Sequence, residues 1–193
     1  MMIDKTNPNG FWCLVVVLFM SLLMVKNGYA QRYTLRTNLI STAVGSASFG
    51  IEGAIGSNST ALLDVSYQGW QVLGDIRTKH ILIQPELRWW KKYRYWGMFY
   101  GVHGLFTQYN VGGIGLLGLD GSRVEGEAFG GGFSYGYQWI ISNKLNIEAT
   151  MGVGYARISY AKYGCEQCGD FKGDGTLDHI GPTKLGVSLI YLL

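Results

Sequence analysis

The chain has 193 residues, a formal net charge of +3 at pH 7 and 29 glycines, and 14% of its residues are aromatic. Residues 31–193 hold 14 basic and 12 acidic side chains, because Lys5, Lys26 and Asp4 lie before them. This near balance gives no basis for expecting nucleic acid as a partner. The same residues hold 27 of the glycines. Glycine combined with aromatic residues, without Pro-rich or Ser-rich repeats, argues against disorder and favours closely packed strands.

The first thirty residues have the pattern of a secretory signal peptide. A basic residue precedes the apolar run Phe11–Val25, and small residues before Gln31 predict cleavage after Ala30. A transmembrane anchor is the alternative, but this run is shorter than the roughly 20 residues that a spanning helix needs. We therefore expect residues 1–30 to be a cleaved leader. Residues 31–193 are long enough for one domain.

Eight segments after the leader are predicted to be strands. In Leu145–Tyr155, apolar side chains occupy the odd positions, and polar residues or glycine occupy the even ones. Its length matches the roughly 9 to 11 residues with which a barrel strand crosses a bilayer. The eight predicted strands are 33–42, 46–56, 60–73, 79–90, 97–112, 124–140, 145–161 and 180–192.

The connections between these strands alternate in length. Those near Gly56–Ser59, Lys91–Arg94 and Ser142–Lys144 are short, whereas 113–123 and 162–179 are long. Outer-membrane barrels have short periplasmic turns and longer outer loops. The first outer connection, near residues 43–45, is unusually tight for this arrangement. The pattern predicts an all-β fold, namely an eight-stranded antiparallel up-and-down transmembrane β-barrel whose long loops form an interaction surface.

Alternation also assigns side chains to the two faces of the predicted sheet. One face is apolar, and we expect it to contact outer-membrane lipid. The other face carries four acids and three bases, which would fill a narrow interior as paired charges. These inward residues are Arg36, Glu52, Asp64, Glu86, Arg88, Glu148 and Lys184. A soluble sandwich or lipocalin-like barrel, with the apolar face turned inward, is the alternative.

Aromatic residues favour the transmembrane barrel over the soluble one, because they collect near the short turns. The predicted girdle is formed by Trp89, Trp96, Tyr137 and Trp139. Such side chains combine an apolar body with a polar tip, and they concentrate at the membrane interface of a barrel. The pattern therefore predicts that the protein resides in the cell outer membrane.

Several motifs together resemble a known family. They are Thr37–Leu39, Gln84–Trp90, Gly101–Gly104, Gln108–Gly113, Ser134–Trp139, Tyr163–Gly169 and Gly181–Gly186. In combination they are similar to a family of Bacteroidetes-type outer-membrane β-barrels catalogued as a domain of unknown function, DUF3575, with an architecture like that of small OmpA- and OmpX-type barrels. The resemblance implies an eight-stranded barrel in the outer membrane and supplies no catalytic residues.

Cys165 and Cys168 are the sharpest local feature of the long loops. In a secreted chain this pair is predicted to form a small disulfide. A zinc site is the alternative, but Cys-x-x-Cys supplies only half of the four ligands that such a site needs. The acidic residues from Asp170 to Asp178 do not have the spacing of an EF-hand loop. We therefore predict neither a metal nor a cofactor.

A catalytic function finds little support in the residues. His103 and Ser134 both lie on predicted strands, with Glu86 or Glu148 as a carboxylate that would orient the histidine. A histidine inside a polar barrel is more often a hydrogen-bond partner, so we expect no enzyme. The predicted role is structural, or one of surface interaction with a cell-surface protein or polysaccharide. A lipid-modifying enzyme and a small channel lined by the inward charges remain the alternatives.

Overall fold

The computed structural model describes residues 33–69, 77–112, 123–164 and 171–193, all within the unit Gln31–Leu193. The strands are β1 Tyr33–Asn38, β2 Ala47–Ala54, β3 Ser59–Gln68, β4 Arg77–Trp90, β5 Gly97–Gly112, β6 Arg123–Ile140, β7 Leu145–Tyr163 and β8 Phe171–Leu192. Each strand pairs with the next in antiparallel order, and β1 pairs with β8 to close a barrel. The predicted eight-stranded antiparallel barrel is therefore confirmed.

Strand length increases along the chain, from six residues in β1 to 22 in β8. The last strand begins at Phe171, nine residues earlier than predicted, and pairs with β7 along this whole extension. The prediction of a loop over 162–179 was therefore wrong, because residues 162–163 belong to β7 and 171–179 to β8. Backbone pairing with β7 holds this segment in the sheet despite glycines and aspartates that usually favour turns.

The first connection between strands is a short helix, α1, Leu39–Ala43. The prediction that the first strand continues to residue 42 was wrong for this segment. Asn38 caps the helix, since its side-chain oxygen accepts a hydrogen bond from the backbone N–H of Ile40 at 3.1 Å. Gly45 follows with φ of 83°, which suits glycine and lets the chain reverse into β2. The tight connection is therefore one helical turn.

The end of the barrel opposite α1 carries the short turns, the start of β1 and the end of β8. Backbone hydrogen bonds close two turns, from Ile55 to Ser59 at 3.0 Å and from Ile141 to Leu145 at 2.9 Å. The third short turn lies between β4 and β5. Leu193 donates to the carbonyl of Tyr33 at 3.1 Å, so the last strand ends beside the first.

Three predicted features lie outside the described residues: the leader 1–30, residues 113–122 of the first long loop, and both cysteines, Cys165 and Cys168. The cleavage and the disulfide stay predictions. Among the described residues, no helix has the length and the apolar character needed to cross a membrane.

Candidate functional site: the charged interior and the outer wall

The barrel buries its polar side chains and exposes its apolar ones. Eighteen of the described polar or charged residues are buried, against eight hydrophobic ones. The structure places all seven predicted inward charges on the inner face. Six of them are buried, and the side chain of Asp64 is 26% exposed. This arrangement is the reverse of a water-soluble barrel, in which the core is apolar.

Arg88 is at the centre of the buried charges and is completely inaccessible to solvent. Its guanidinium donates to Glu148 at 2.9 Å, to Glu86 at 3.1 Å and to Glu52 at 3.3 Å. The planar head also lies over the ring of Phe99, 4.4 Å from the ring centroid. A single cation is therefore paired with carboxylates from β2, β4 and β7. Its forked donors suit this arrangement better than the single ammonium of lysine would.

The other two cations connect distant parts of the barrel wall. Arg36 on β1 donates to Glu148 on β7 at 2.6 Å. Lys184 on β8 donates to Glu86 on β4 at 2.6 Å and to Asp64 on β3 at 3.1 Å. Because β4 and β8 lie on opposite sides of an eight-stranded ring, the pair between Lys184 and Glu86 crosses the interior.

Hydroxyl groups complete the coordination of the buried carboxylates. Thr60 donates to Glu52 at 2.6 Å, Ser134 donates to Glu86 at 2.5 Å, and Thr150 donates to Glu148. A buried ion pair is tolerated only when its remaining polar atoms also find partners. Sequence analysis singled out only Ser134, as a candidate nucleophile, although all three hydroxyls lie on inward positions of the alternating pattern, a signal that could have indicated Thr60 and Thr150 as well. Their partners could not be predicted, because the residues are far apart in the sequence.

A hydrophobic cluster of three aromatic residues and one leucine lies beneath the charges, toward the short turns. It consists of Trp90, Tyr95, Phe99 and Leu192. The indole N–H of Trp90 donates to Thr60 at 2.9 Å, and this hydrogen bond joins the cluster to the Glu52 carboxylate above it. Tyr95 occupies the turn between β4 and β5 with a positive φ of 63°. Burial, reinforced by the negative charge of Glu52, raises the pKa of the Tyr95 hydroxyl.

The outer wall of the barrel is apolar over most of its height. Phe133 is 72% exposed and Leu185 is 67% exposed, and both lie level with the charged interior, beside Ser134 and Lys184. Three of the predicted girdle residues, Trp89, Trp96 and Trp139, are exposed. The fourth, Tyr137, packs against Trp139 with 4.7 Å between ring centroids. All four lie at the end of the barrel that carries the short turns.

The histidine and serine considered for catalysis do not form a nucleophile and base. Ser134 donates to Glu86, whereas Nε2 of His103 shares a hydrogen bond of 2.8 Å with the hydroxyl of Thr183. A cavity of about 100 Å³ lies above the charges, and Asp64, Gln84 and Lys184 contribute to its lining. Among the described residues, no group of His, Cys, Asp and Glu is placed to hold a metal ion.

These features define a closed eight-stranded barrel with a polar interior crossed by ion pairs and an apolar outer wall. The chain belongs to the DUF3575 family of proteins of unknown function, whose model matches residues 14–193. This match confirms the resemblance seen in the motifs. No curated protein matches the chain.

Proposed function

We propose that the chain is an integral outer-membrane β-barrel protein whose outer strand ends and loops interact with molecules at the cell surface. The observation that carries this proposal is the reversed burial of the barrel: ion pairs are inside, and large apolar side chains such as Phe133 and Leu185 are outside. In water, so much exposed apolar wall would promote aggregation. In a bilayer the same wall contacts hydrocarbon, and pairing between β1 and β8, from Thr34 with Leu192 to Asn38 with Ser188, closes the sheet.

The dimensions of the barrel support the same proposal. Most strands exceed the roughly 9 to 11 residues that cross a bilayer, while β1 and β2 are shorter. Exposed tryptophans gather at the end with short turns, as in the interfacial belt of outer-membrane barrels. The leader predicted over residues 1–30 would deliver the chain across the inner membrane.

The interior supports a structural or interaction role over conduction. The ion pair between Lys184 and Glu86 crosses the interior, and the large side chains of Arg88 and Phe99 are fully buried beside it. We therefore propose that the membrane-level barrel is a scaffold. Its interaction surface is formed by the ends of β5 to β8 with the connections between them, in place of the longer loop expected from the sequence.

Carbonate extraction and gel mobility test the proposal together. The outer-membrane fraction is washed with alkaline carbonate, and the pellet is run on a denaturing gel with and without boiling. We expect the protein to remain in the pellet and to change mobility on boiling, because a closed barrel resists detergent until it is heated. Release into the supernatant as an unaggregated protein would contradict the proposal, since the exposed wall would then need no lipid.

A further inference from the structure

Two tyrosines and two glycines form a row across four strands at the end of the barrel opposite the short turns. The row runs from Tyr109 on β5 to Gly126 on β6, Tyr160 on β7 and Gly175 on β8, and each residue is paired directly with the next. Tyr109 lies six residues from His103 along β5, so the row is about 20 Å along the strand from the charged interior. We call these four residues the tyrosine row.

The glycines allow both tyrosine rings to lie along the sheet. A Cβ atom at Gly126 would come within 2.7 Å of the Tyr109 hydroxyl and 2.9 Å of its ring. A Cβ atom at Gly175 would come within 2.8 Å of the Tyr160 hydroxyl and 3.0 Å of its ring. Each ring therefore occupies the space that the next strand leaves free. The hydroxyl end of each ring lies over the glycine of that strand, and Tyr160 is 39% exposed.

The row forms part of the wall of an open cavity of about 700 Å³. The cavity is lined by the four residues of the row and by their neighbours along each strand. Because side chains alternate between the two faces of a strand, these neighbours direct their side chains to the opposite face, whereas the row shares the inner face with His103. The row continues through His80 to Gln68, which accepts a hydrogen bond of 2.8 Å from Ser46. On one face of the sheet, the row therefore combines aromatic rings with the hydrogen-bonding groups of His80 and Gln68, a combination found in small-molecule sites.

We propose that the tyrosine row binds a neutral saccharide. Sugar rings have an apolar face of C–H groups and a rim of hydroxyls, which match aromatic rings with the hydrogen-bonding groups of His80 and Gln68 in the same row. The two tyrosines lie two strands apart, roughly 10 Å, so they would contact separate units of one saccharide chain. Three carboxylates, Glu125, Glu127 and Asp174, are direct chain neighbours of the two glycines, and their negative charge opposes an anionic ligand at the row.

This inference deepens the proposed surface role and rests on it for access to polysaccharide outside the cell. Binding is measured in detergent micelles with the purified full chain and an array of neutral, acidic and amino-sugar polysaccharides. We expect the protein to bind neutral members. We also expect Tyr109→Ala and Tyr160→Ala each to weaken that binding about fivefold, since one aromatic contact contributes about 1 kcal/mol.

Tyr33→Ala is the matched control because the Tyr33 ring also lies against a cross-strand glycine, with 3.2 Å to a Cβ atom at Gly53. It removes the same kind of packing outside the row, and its binding should equal that of the wild type. The mobility shift on boiling verifies that each variant is folded.

Three results would overturn the inference. The first is that the wild type binds no member of the array, and the second is that the variant carrying both Tyr109→Ala and Tyr160→Ala binds as tightly as the wild type. The third is binding that requires an amino group on the saccharide and is abolished by salt. The location is tested separately. A protein that stays in carbonate-washed membranes and binds no saccharide contradicts only the inference from the tyrosine row. A released protein that binds saccharide contradicts only the membrane proposal.

Discussion

Replacing Arg88 by methionine should destabilise the barrel more than any other single loss of charge. The change keeps a long apolar side chain but removes donors to Glu52, Glu86 and Glu148, and it removes the contact with Phe99. Four carboxylates, those three and Asp64, are balanced in the wild type by three cations and in the variant by two. Breaking a fully buried ion pair costs about 3 to 5 kcal/mol, because the remaining charge has no water to solvate it.

The remaining cations limit this cost without removing it. In Arg88→Met, the cation Arg36 still lies 2.6 Å from Glu148, and Lys184 still lies 2.6 Å from Glu86. The cation that remains paired with Glu52 is Arg36, at the longer distance of 3.7 Å. We therefore expect Glu52 to account for much of the loss. A second substitution, Glu52→Gln, should recover at least about 1 kcal/mol of the unfolding free energy, since the two sites interact directly.

Equilibrium urea unfolding in lipid vesicles, followed by tryptophan fluorescence, measures these free energies. With a urea dependence of about 2 kcal/mol per molar, a loss of about 4 kcal/mol lowers the midpoint by about 2 M. The control is Arg157→Met, which removes the exposed pair with Asp178 and should cost less than about 1 kcal/mol. The reasoning is refuted if Arg88→Met costs no more than Arg157→Met, or if Glu52→Gln recovers nothing.

Three further predictions test other parts of the structure. Phe99→Ala should lower the unfolding free energy by about 3 to 5 kcal/mol in the same assay, because the ring is fully buried, and the exposed Tyr100→Ala should cost clearly less. Phe133→Arg should cost about 2 to 4 kcal/mol in vesicles if that side chain meets lipid near the bilayer midplane, and equal stability of the variant and the wild type would contradict this placement. Mass spectrometry of the exported protein should show Cys165 and Cys168 unreactive to an alkylating reagent until a reductant is added, and prompt alkylation without reductant would contradict a disulfide.

The number of strands and the two faces of the sheet could be predicted because alternation repeats every two residues. This signal placed Glu148 and Lys184 on the inner face without any knowledge of their partners. The individual ion pairs could not be predicted. Arg36 and Glu148 are 112 positions apart, and only the closed register brings them within 2.6 Å.

The errors at α1 and β8 have a common physical origin. Residues 39–42 were assigned to a strand because they follow an alternating segment, but the Asn38 cap ends β1 and begins a helical turn. The glycines and aspartates of 171–179 were assigned to a loop by local preference, yet pairing with β7 overrides that preference. The tyrosine row could not be predicted for the same reason, because its residues become neighbours only through pairing across four strands.

The unequal strand lengths determine where the ring is easiest to open. β1 is paired with β2 at four positions and with β8 at five, whereas β6 and β7 are paired at eighteen. Backbone pairing alone would therefore make β1 the first strand to detach, with the fastest amide exchange in the sheet. Arg36 holds this strand in the ring, since its side chain donates hydrogen bonds to Glu148 on β7 and to Ser188 on β8. The shortest strand is thus held from inside the barrel, because the charged guanidinium of Arg36 must leave the interior before the ring can open.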